Sequence, residues 1–311
     1  MISTTKTWRA DRFGDPEKVI SLQEIAIPSL SYRQVLVRVL AVGVGLPDVL
    51  MLRGVYPLVK NPPVSPGQEL VGEVVAVANG SRFSIGDRVM GTSNFGQAQG
   101  GFSEYCVMSE GGICIAPKAL SVEQAAGFVI PFKTAYVALV LRCGLMAGET
   151  LLVLGGAGGS GQAAIQLGKC LGAKVIAVAG SIDKLDFCRK MGADYVINYK
   201  DDDIADVVNK ITNDRGVDVV FDPGGGTIGE KMPSCMARHG RIGLVGFASG
   251  SWPNLNAVDM VMKSYSVVGV FAGNISFSET QACFDTICGY AEQRKLVTPI
   301  AGRYSFGDIP S

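Results

Sequence analysis

The sequence predicts an α/β protein in which a doubly wound parallel sheet follows a smaller, mostly β N-terminal region. Residues 1–120 alternate short apolar segments with turns, whereas strand and helix patterns follow one another from Leu151 onward. Strands that alternate with helices form parallel sheets with helices on both faces. Many short strands at near-regular spacing favour a small antiparallel barrel or sandwich.

The composition is that of a folded globular chain without a charge bias. The 311 residues are 48% hydrophobic and 18% charged, which is sufficient to form buried cores in about two domains. Lysine plus arginine and aspartate plus glutamate balance at 28 each, so no basic face for nucleic acid is expected. The eight cysteines form no C-x-x-C pair and no metal-ligand spacing, which favours free thiols in a reducing compartment.

The N-terminus lacks the apolar core of a secretory signal. No uninterrupted apolar run approaches the roughly 18 residues that a membrane-spanning helix needs. Asp11 and Asp15 come early in the chain and disfavour a mitochondrial presequence, although a mitochondrial location stays open. We therefore expect a cytoplasmic protein that does not enter a membrane.

In the first half, hydrophobic alternation predicts strands over 34–42, 70–77 and 88–90. Ser121 is typical of a helix-capping residue and predicts a helix that begins there. In the second half, apolar runs predict strands over 151–154, 174–179, 195–198, 218–222, 241–246 and 266–271. Helices are predicted over 162–171, 183–191, 204–212 and 278–295.

A glycine cluster, GGAGGSG at 155–161, follows the first strand of the predicted parallel sheet. Glycines without a Cβ let the backbone approach a dinucleotide pyrophosphate, and the N-terminus of the following helix offers unpaired N–H groups. An ordinary structural turn is the alternative interpretation. We predict a nucleotide site that includes Gly156, Gly158, Gly159, Ser160 and Gly161.

The end of the second strand predicts the choice between NAD and NADP. In dinucleotide folds, an acidic residue about 20 residues past the glycine turn binds the ribose hydroxyls. Gly180 or Ser181 occupies that position here, so no carboxylate repels a 2′-phosphate. Lys184 supplies a cation, Ser181 a hydroxyl and Tyr199 a phenol, which together favour NADPH. If Lys184 only faces solvent and Asp183 turns toward the ribose, NADH is the alternative.

These features make the chain similar to the medium-chain dehydrogenases/reductases, and among them to the zeta-crystallin-like NADPH:quinone oxidoreductases. The resemblance extends over 10–308 and is carried by the glycine turn with RGVYP, PGQELVG, IGDRV, GFSEY and MGAD, which begin at 53, 66, 85, 101 and 191. It implies a GroES-like substrate domain over 1–122, to which 275–311 returns, and a Rossmann domain over 123–274 that binds NADPH. It also implies a substrate cleft between the domains and a homodimer formed through the last Rossmann strand, 266–271.

The same resemblance implies catalysis without a metal. Zinc-dependent relatives carry a catalytic cysteine where Gly45 stands here and a histidine where Gln68 stands. Glycine and glutamine are not usual zinc ligands. The chain also lacks the four-cysteine lobe of those relatives, and its one histidine, His239, is predicted to be a loop residue.

Without a Lewis acid, hydride transfer to a conjugated acceptor is easier than alcohol oxidation, because a quinone or enone spreads the incoming charge onto an oxygen that donors stabilise. We therefore predict an NADPH-dependent quinone or enone reductase. Tyr56 matches a proposed proton donor of the related 2-enoyl-thioester reductases, in a Gly-Val-Tyr-Pro setting. Gln68 is a candidate donor to the acceptor carbonyl, and Thr134 matches a family position near the nicotinamide. A packing aromatic, a loop-tying amide and a helix-internal threonine are the respective alternatives.

Further cofactor contacts are implied by the resemblance at Gly246 and Phe247, after the fifth strand, and at Phe271, at the end of the sixth. Two departures from the family pattern bear on activity. Members of the zeta-crystallin-like family, unlike the zinc-dependent relatives, usually carry asparagine where Gly45 stands, so an enlarged or altered acceptor pocket is expected. Relatives also continue past the position of Ser311 with a helix and a strand, so we expect a shortened form with impaired stability or activity.

Two other functions stay open. One is a catalytically weak NADPH-binding protein that senses redox state or binds RNA. The other is an enoyl-thioester reductase, which would need a basic entrance for substrate phosphates, and the sequence shows no obvious basic cluster outside the nucleotide region.

Overall fold

The computed structural model describes residues 2–309, which form two compact units. Unit 1 contains the residues up to Ile130 together with those from Ala291 onward, and unit 2 is Pro131–Tyr290. No helix within the described residues is long and apolar enough to cross a membrane.

Unit 1 is built on antiparallel sheets. Two strands, β1 (Thr4–Ala10) and β2 (Ile20–Ala26), pair with each other. A five-stranded sheet has the order β6-β3-β4-β5-β7 and consists of β3 (Gln34–Gly43), β4 (Glu69–Val77), β5 (Arg88–Thr92), β6 (Tyr105–Ser109) and β7 (Ile113–Ile115). Its short helices are α1 (Pro16–Val19), α2 (Leu46–Leu52) and α3 (Val122–Ala126). The predicted N-terminal β region is therefore antiparallel, as the alternation of short strands and turns indicates.

Unit 2 contains a six-stranded parallel sheet of order β10-β9-β8-β11-β12-β13. Its strands are β8 (Thr150–Val153), β9 (Lys174–Ala179), β10 (Tyr195–Asn198), β11 (Val217–Asp222), β12 (Met236–Leu244) and β13 (Ser266–Gly269). The helices are α4 (Val129–Tyr136), within which the chain passes into unit 2, α5 (Gly159–Cys170), α6 (Ile182–Lys190), α7 (Ile204–Thr212), α8 (Gly226–Glu230), α9 (Ala257–Lys263) and α10 (Phe277–Glu292).

The strand order explains where a ligand binds in such a sheet. The chain begins at β8 in the middle, builds β9 and β10 on one side, and then returns to build β11, β12 and β13 on the other. The direction reverses between β8 and β11, and open parallel sheets bind ligands at the carboxyl ends of the strands at this point. Every residue of β8 and β11 is buried, which fits strands covered by helices on both faces.

Three predicted boundaries are wrong in ways that matter for the site. The helix predicted to begin at Gln162 begins at Gly159. Gly158 has the extended N-cap conformation, and Gly159 and Gly161, which follow it, already belong to the first helical turn. The strand predicted over 241–246 runs from Met236 to Leu244, so Gly246 and Phe247 follow its carboxyl end. The last strand ends at Gly269, so Phe271 lies outside the sheet.

Candidate active site

The glycine cluster of unit 2 forms a tight turn between β8 and α5. Gly155 has a φ of +58°, a left-handed conformation that favours glycine. A Cβ on Gly161 would lie 2.2 Å from the carbonyl oxygen of Gly155, and one on Gly156 would lie 2.9 Å from the Cys188 sulfur. The glycine loop therefore packs directly against the first helical turn of α5. There is no space for a side chain at Gly156 or Gly161.

Two other glycines of the same turn have more space around them. A Cβ on Gly159 would meet only the Pro131 ring, at 3.9 Å, and one on Gly158 would lie 3.3 Å from the Gly155 oxygen. Both residues are exposed, and Ser160 beside them is half-buried. They lie at the N-terminus of α5, where the first N–H groups have no partner inside the helix. The missing side chains leave an open cradle of backbone N–H groups.

The end of β9 leads into α6 through Gly180 and Ser181, next to Tyr199. A Cβ on Gly180 would lie 2.7 Å from the Tyr199 ring and its hydroxyl oxygen. Ser181 is the N-cap residue of α6, yet its hydroxyl makes no capping hydrogen bond. Lys184 is exposed one turn into α6, and the Tyr199 ring is partly exposed. Tyr199, which follows β10, therefore lies beside the connection from β9 to α6 that contains Ser181 and leads to Lys184.

The loops after β11 and β12 touch each other at the same edge of the sheet. A Cβ on Gly246 would lie 2.8 Å from the Pro223 oxygen, so this contact requires glycine. Asp222, fully buried at the end of β11, accepts hydrogen bonds from the N–H groups of Gly224 (3.0 Å) and Gly225 (2.8 Å) through one carboxylate oxygen. Burial raises the pKa of this carboxyl group. The sequence indicates residues 222–226 as a stretch near the cofactor, and the structure shows that the Asp222 side chain shapes this loop.

Three further predicted residues also belong to unit 2. Phe247 packs against Trp252, with ring centroids 5.1 Å apart. The Phe271 side chain is half exposed and covers Gly273. Thr134 is half-buried in α4, and within residues 2–309 its hydroxyl forms no hydrogen bond, so the helix-internal bond considered as its alternative role is not present.

A second polar cluster lies in unit 1, where Tyr56 and Gln68 meet. The Gln68 amide nitrogen donates a hydrogen bond to the Tyr56 hydroxyl oxygen at 2.8 Å. The Tyr56 ring is half-buried and lies 6.2 Å from the Phe95 ring. Burial raises the pKa of Tyr56 above its ordinary value of 10.0, so the phenol is protonated at neutral pH. No group among the described residues accepts its proton.

A carboxylate that the sequence did not single out lies behind this pair. Asp48, only 4% exposed, accepts hydrogen bonds from the backbone N–H groups of Gly67 (2.7 Å) and Gln68 (3.2 Å) through one oxygen. Its other oxygen accepts from the N–H of Gly45 at 2.9 Å. Burial raises the pKa of Asp48 to about 6. The sequence feature that could have indicated Asp48 is its position as the third residue of α2. From this position its carboxylate accepts the N–H of the N-cap residue, Gly45.

Glu69, next to Gln68, is a second buried carboxyl group of unit 1. One oxygen accepts a hydrogen bond from the Ile130 N–H at 2.8 Å. Burial raises its pKa to about 8, and the nearby charge of Asp48 adds to that rise. At neutral pH, Glu69 therefore holds a proton while Asp48 is mostly ionised.

Comparison with known proteins adds two matching families, described as zinc-binding dehydrogenase (residues 159–287) and alcohol dehydrogenase GroES-like domain (31–118). A Nematostella vectensis protein named quinone oxidoreductase-like protein 2 homolog is 33% identical over 308 residues, which cover 97% of this chain and 83% of the relative. Quinone oxidoreductase of Homo sapiens is 32% identical over 274 residues, covering 87% and 82%. The solved NADPH complex of a mycobacterial protein matches with a TM-score of 0.87 at 25% identity, over 98% and 94% of the two chains.

One of these family descriptions names zinc, and the residues of this chain do not fit that ion. Gly45 offers no side-chain donor, and the Gln68 amide is bonded to Tyr56. Zinc in proteins is bound by cysteine, histidine or carboxylate groups, usually three or four together. Residues 2–309 contain no such group of three or more, and His239 lies exposed within β12, where a loop was expected.

Proposed function

The chain belongs to the quinone oxidoreductase family of the medium-chain dehydrogenase/reductase superfamily, and on this basis we propose that it is an NADPH-dependent reductase of quinones or α,β-unsaturated carbonyls. Membership in this family of oxidoreductases confirms the predicted family and fold class. The observation that carries the proposal is the Tyr56–Gln68 hydrogen bond. Because the Gln68 N–H occupies the phenol oxygen, the Tyr56 proton is free for a substrate oxygen.

The residues of unit 2 fit a dinucleotide. The Gly158 N–H is bonded to the Gly155 oxygen at 2.9 Å, and the helix that begins at the exposed Gly159 offers its first N–H groups to a ligand. A pyrophosphate is favoured at such a helix N-terminus. We infer that the cofactor is NADPH, since Ser181, Lys184 and Tyr199 supply two hydroxyls and a cation for a 2′-phosphate. Gly180 strengthens the inference, because the Tyr199 ring fills the space in which an acidic side chain at 180 would lie. The mycobacterial relative was solved with NADPH.

When bound, NADPH supplies the hydride. The acceptor oxygen that gains negative charge then takes the proton of Tyr56, and the phenolate recovers a proton from solvent. The Gln68 N–H remains on the Tyr56 oxygen and stabilises it as it becomes negative. An enone would leave as a saturated carbonyl compound after tautomerisation of the enol, and a quinone as a hydroquinone. Thr134 is proposed as a further polar contact for the nicotinamide.

We also infer a homodimer formed through β13. Among the described residues, this strand pairs with β12 alone and lies at the edge of the sheet, and its two central valines are half-buried. An unpaired strand edge is a ready template for a second strand. Sedimentation velocity would test the dimer, and proline substitution of Val268 would be expected to give a monomer.

Loss of NADPH absorbance in the presence of a quinone or an enone tests the proposed reaction. We expect turnover with both acceptors, a preference for NADPH over NADH, and no reduction of simple aldehydes. Tyr105→Phe, a phenol of the same unit outside the cluster, provides a matched control for Tyr56→Phe. NADPH binding without any turnover would contradict the proposed reductase. It would favour the alternative of a catalytically weak NADPH-binding protein that senses redox state or binds RNA. Turnover with an enoyl thioester alone would favour the thioester reductase.

A further inference from the structure

The two oxygens of Asp48 connect three backbone positions around the Tyr56–Gln68 pair. One oxygen holds the N–H groups of Gly67 and Gln68, and the other holds the N–H of Gly45 at the start of α2. The helix that ends just before Tyr56 and the residue that contacts the Tyr56 hydroxyl are therefore tied to the same buried carboxylate.

We propose that Asp48 is a positioning residue for the proton donor: its carboxylate fixes the backbone of Gln68 and, through the Gln68 amide, fixes the direction in which the Tyr56 hydroxyl gives its proton. This inference rests on the proposed function of Tyr56. A side chain that is almost fully buried and accepts three backbone hydrogen bonds has little freedom to move. A hydroxyl that must meet a substrate oxygen within hydrogen-bond distance depends on such support, because a 1 Å displacement can cost about 100-fold in rate.

The charge of Asp48 also acts on Tyr56. It raises the pKa of the phenol, after the larger effect of burial and against the opposing hydrogen bond from Gln68. The other groups packed on Tyr56 carry no charge: they are the Phe95 ring, the Gln68 amide and the apolar cluster of Ala10, Met51, Leu52, Val59 and Val64. Glu69, beyond Gln68, is protonated at neutral pH because its pKa is about 8. Asp48 is thus the charged group whose removal should change the titration of Tyr56.

A double-mutant cycle between Asp48→Asn and Tyr56→Phe tests whether Asp48 acts through Tyr56. We expect Asp48→Asn to lower kcat about 10- to 100-fold in the wild-type background, and to have less than about 2-fold effect when Tyr56 is phenylalanine. Glu110→Gln is the matched control, since Glu110 is a buried carboxyl of the same unit that accepts the Arg82 N–H at 3.1 Å. Its substitution should leave kcat unchanged, whatever it costs in stability.

A second readout does not depend on turnover. NMR of 13Cζ-labelled tyrosine, with the Tyr56 signal assigned from Tyr56→Phe, should show the Tyr56 titration midpoint at lower pH in Asp48→Asn. If Asp48→Asn does not fold, Asp48→Ser, which keeps one hydrogen-bond acceptor without the charge, takes its place. Equal losses of kcat from Asp48→Asn in both backgrounds, or an unmoved Tyr56 midpoint, would overturn the proposal. Absence of turnover in the wild-type chain together with a shifted midpoint would instead contradict the proposed reaction alone.

Discussion

The glycine turn of unit 2 and the Tyr56 cluster of unit 1 (Asp48, Tyr56, Gln68 and Glu69), proposed here to hold the cofactor and the acceptor, are built in opposite ways. In the turn, the contacts offered to a ligand come from the backbone alone, and the absence of side chains leaves room for the ligand. In the cluster, the groups offered to a ligand are side chains, and the almost fully buried Asp48 carboxylate holds the backbone in place. The first arrangement depends on sterics and changes little with pH. The second contains two carboxyl groups with raised pKa values, so it is sensitive to pH.

The largest loss of stability and of NADPH binding is expected at Gly161, where the turn has no space for a side chain. Gly161→Ala would place a methyl group 2.2 Å from the Gly155 oxygen and 2.9 Å from the Gly156 Cα, and neither backbone atom can yield without opening the turn. We expect the free energy of unfolding to fall by about 2–4 kcal/mol. NADPH binding should be lost with it. Chemical denaturation and fluorescence titration with NADPH measure the two effects.

Gly159→Ala separates folding from binding in the same turn. The added methyl group meets only the Pro131 ring at an ordinary distance, so the free energy of unfolding should not fall. The methyl group would stand in the cradle itself, and losing hydrogen bonds to a charged phosphate should weaken NADPH binding by about 10- to 100-fold. If Gly159→Ala bound NADPH like the wild type, the assignment of the cradle to the pyrophosphate would be wrong.

The Tyr56 cluster is tested by removing one oxygen atom. Tyr56→Phe keeps the ring against Phe95 and removes the proton donor. We expect kcat for an enone to fall by about 100-fold, with an unchanged NADPH dissociation constant. Stopped-flow measurement of NADPH oxidation, with Tyr105→Phe in parallel, checks this. A Tyr56→Phe enzyme of full activity would assign Tyr56 a packing role.

The pH sensitivity of the cluster is expected to appear in the free energy of unfolding. Because the pKa of Glu69 is about 8 in the folded chain and 4.5 is its ordinary value, the folded state binds this proton more tightly. Stability from this group is therefore full below pH 4.5 and falls as the pH rises toward 8. Glu69→Gln removes the cost of ionisation and retains an acceptor for the Ile130 N–H.

We expect Glu69→Gln to gain on the order of 1–4 kcal/mol relative to the wild type between pH 5 and pH 9. Urea unfolding at the two pH values measures the change. Glu149→Gln provides a control of opposite sign, since hydrogen bonds from Arg241 lower the pKa of Glu149. The wild type should exceed that variant in stability above about pH 4.5, and this advantage should disappear in acid. A pH-independent difference for Glu69→Gln would show that its carboxyl group ionises normally.

The same contrast explains what the sequence could predict. Strands β9 and β10 and helix α7 lie at the predicted residues, because apolar runs and helical periodicity are local signals. The glycine turn was recognised for the same reason. Asp48 and Glu69 were not, because their importance arises from burial and from partners distant in sequence, such as Gly67 and Ile130. In the sequence, Gly180 indicates only that the usual acidic residue is missing. The Tyr199 ring, which occupies the space beside Gly180, is 19 residues away, and no local pattern predicts this contact.

The smallest effect is expected at the rim of the nucleotide site. Lys184 is exposed, so its attraction for a 2′-phosphate is weakened by solvent and salt. Lys184→Ala should weaken NADPH binding by about 5-fold at low salt, less at high salt, and leave NADH binding unchanged. Lys190→Ala, at the other end of α6, is the matched control and should affect neither nucleotide. Equal weakening of NADPH and NADH by Lys184→Ala would mean that Lys184 does not read the 2′-phosphate, and the preference for NADPH would then rest on Ser181 and Tyr199.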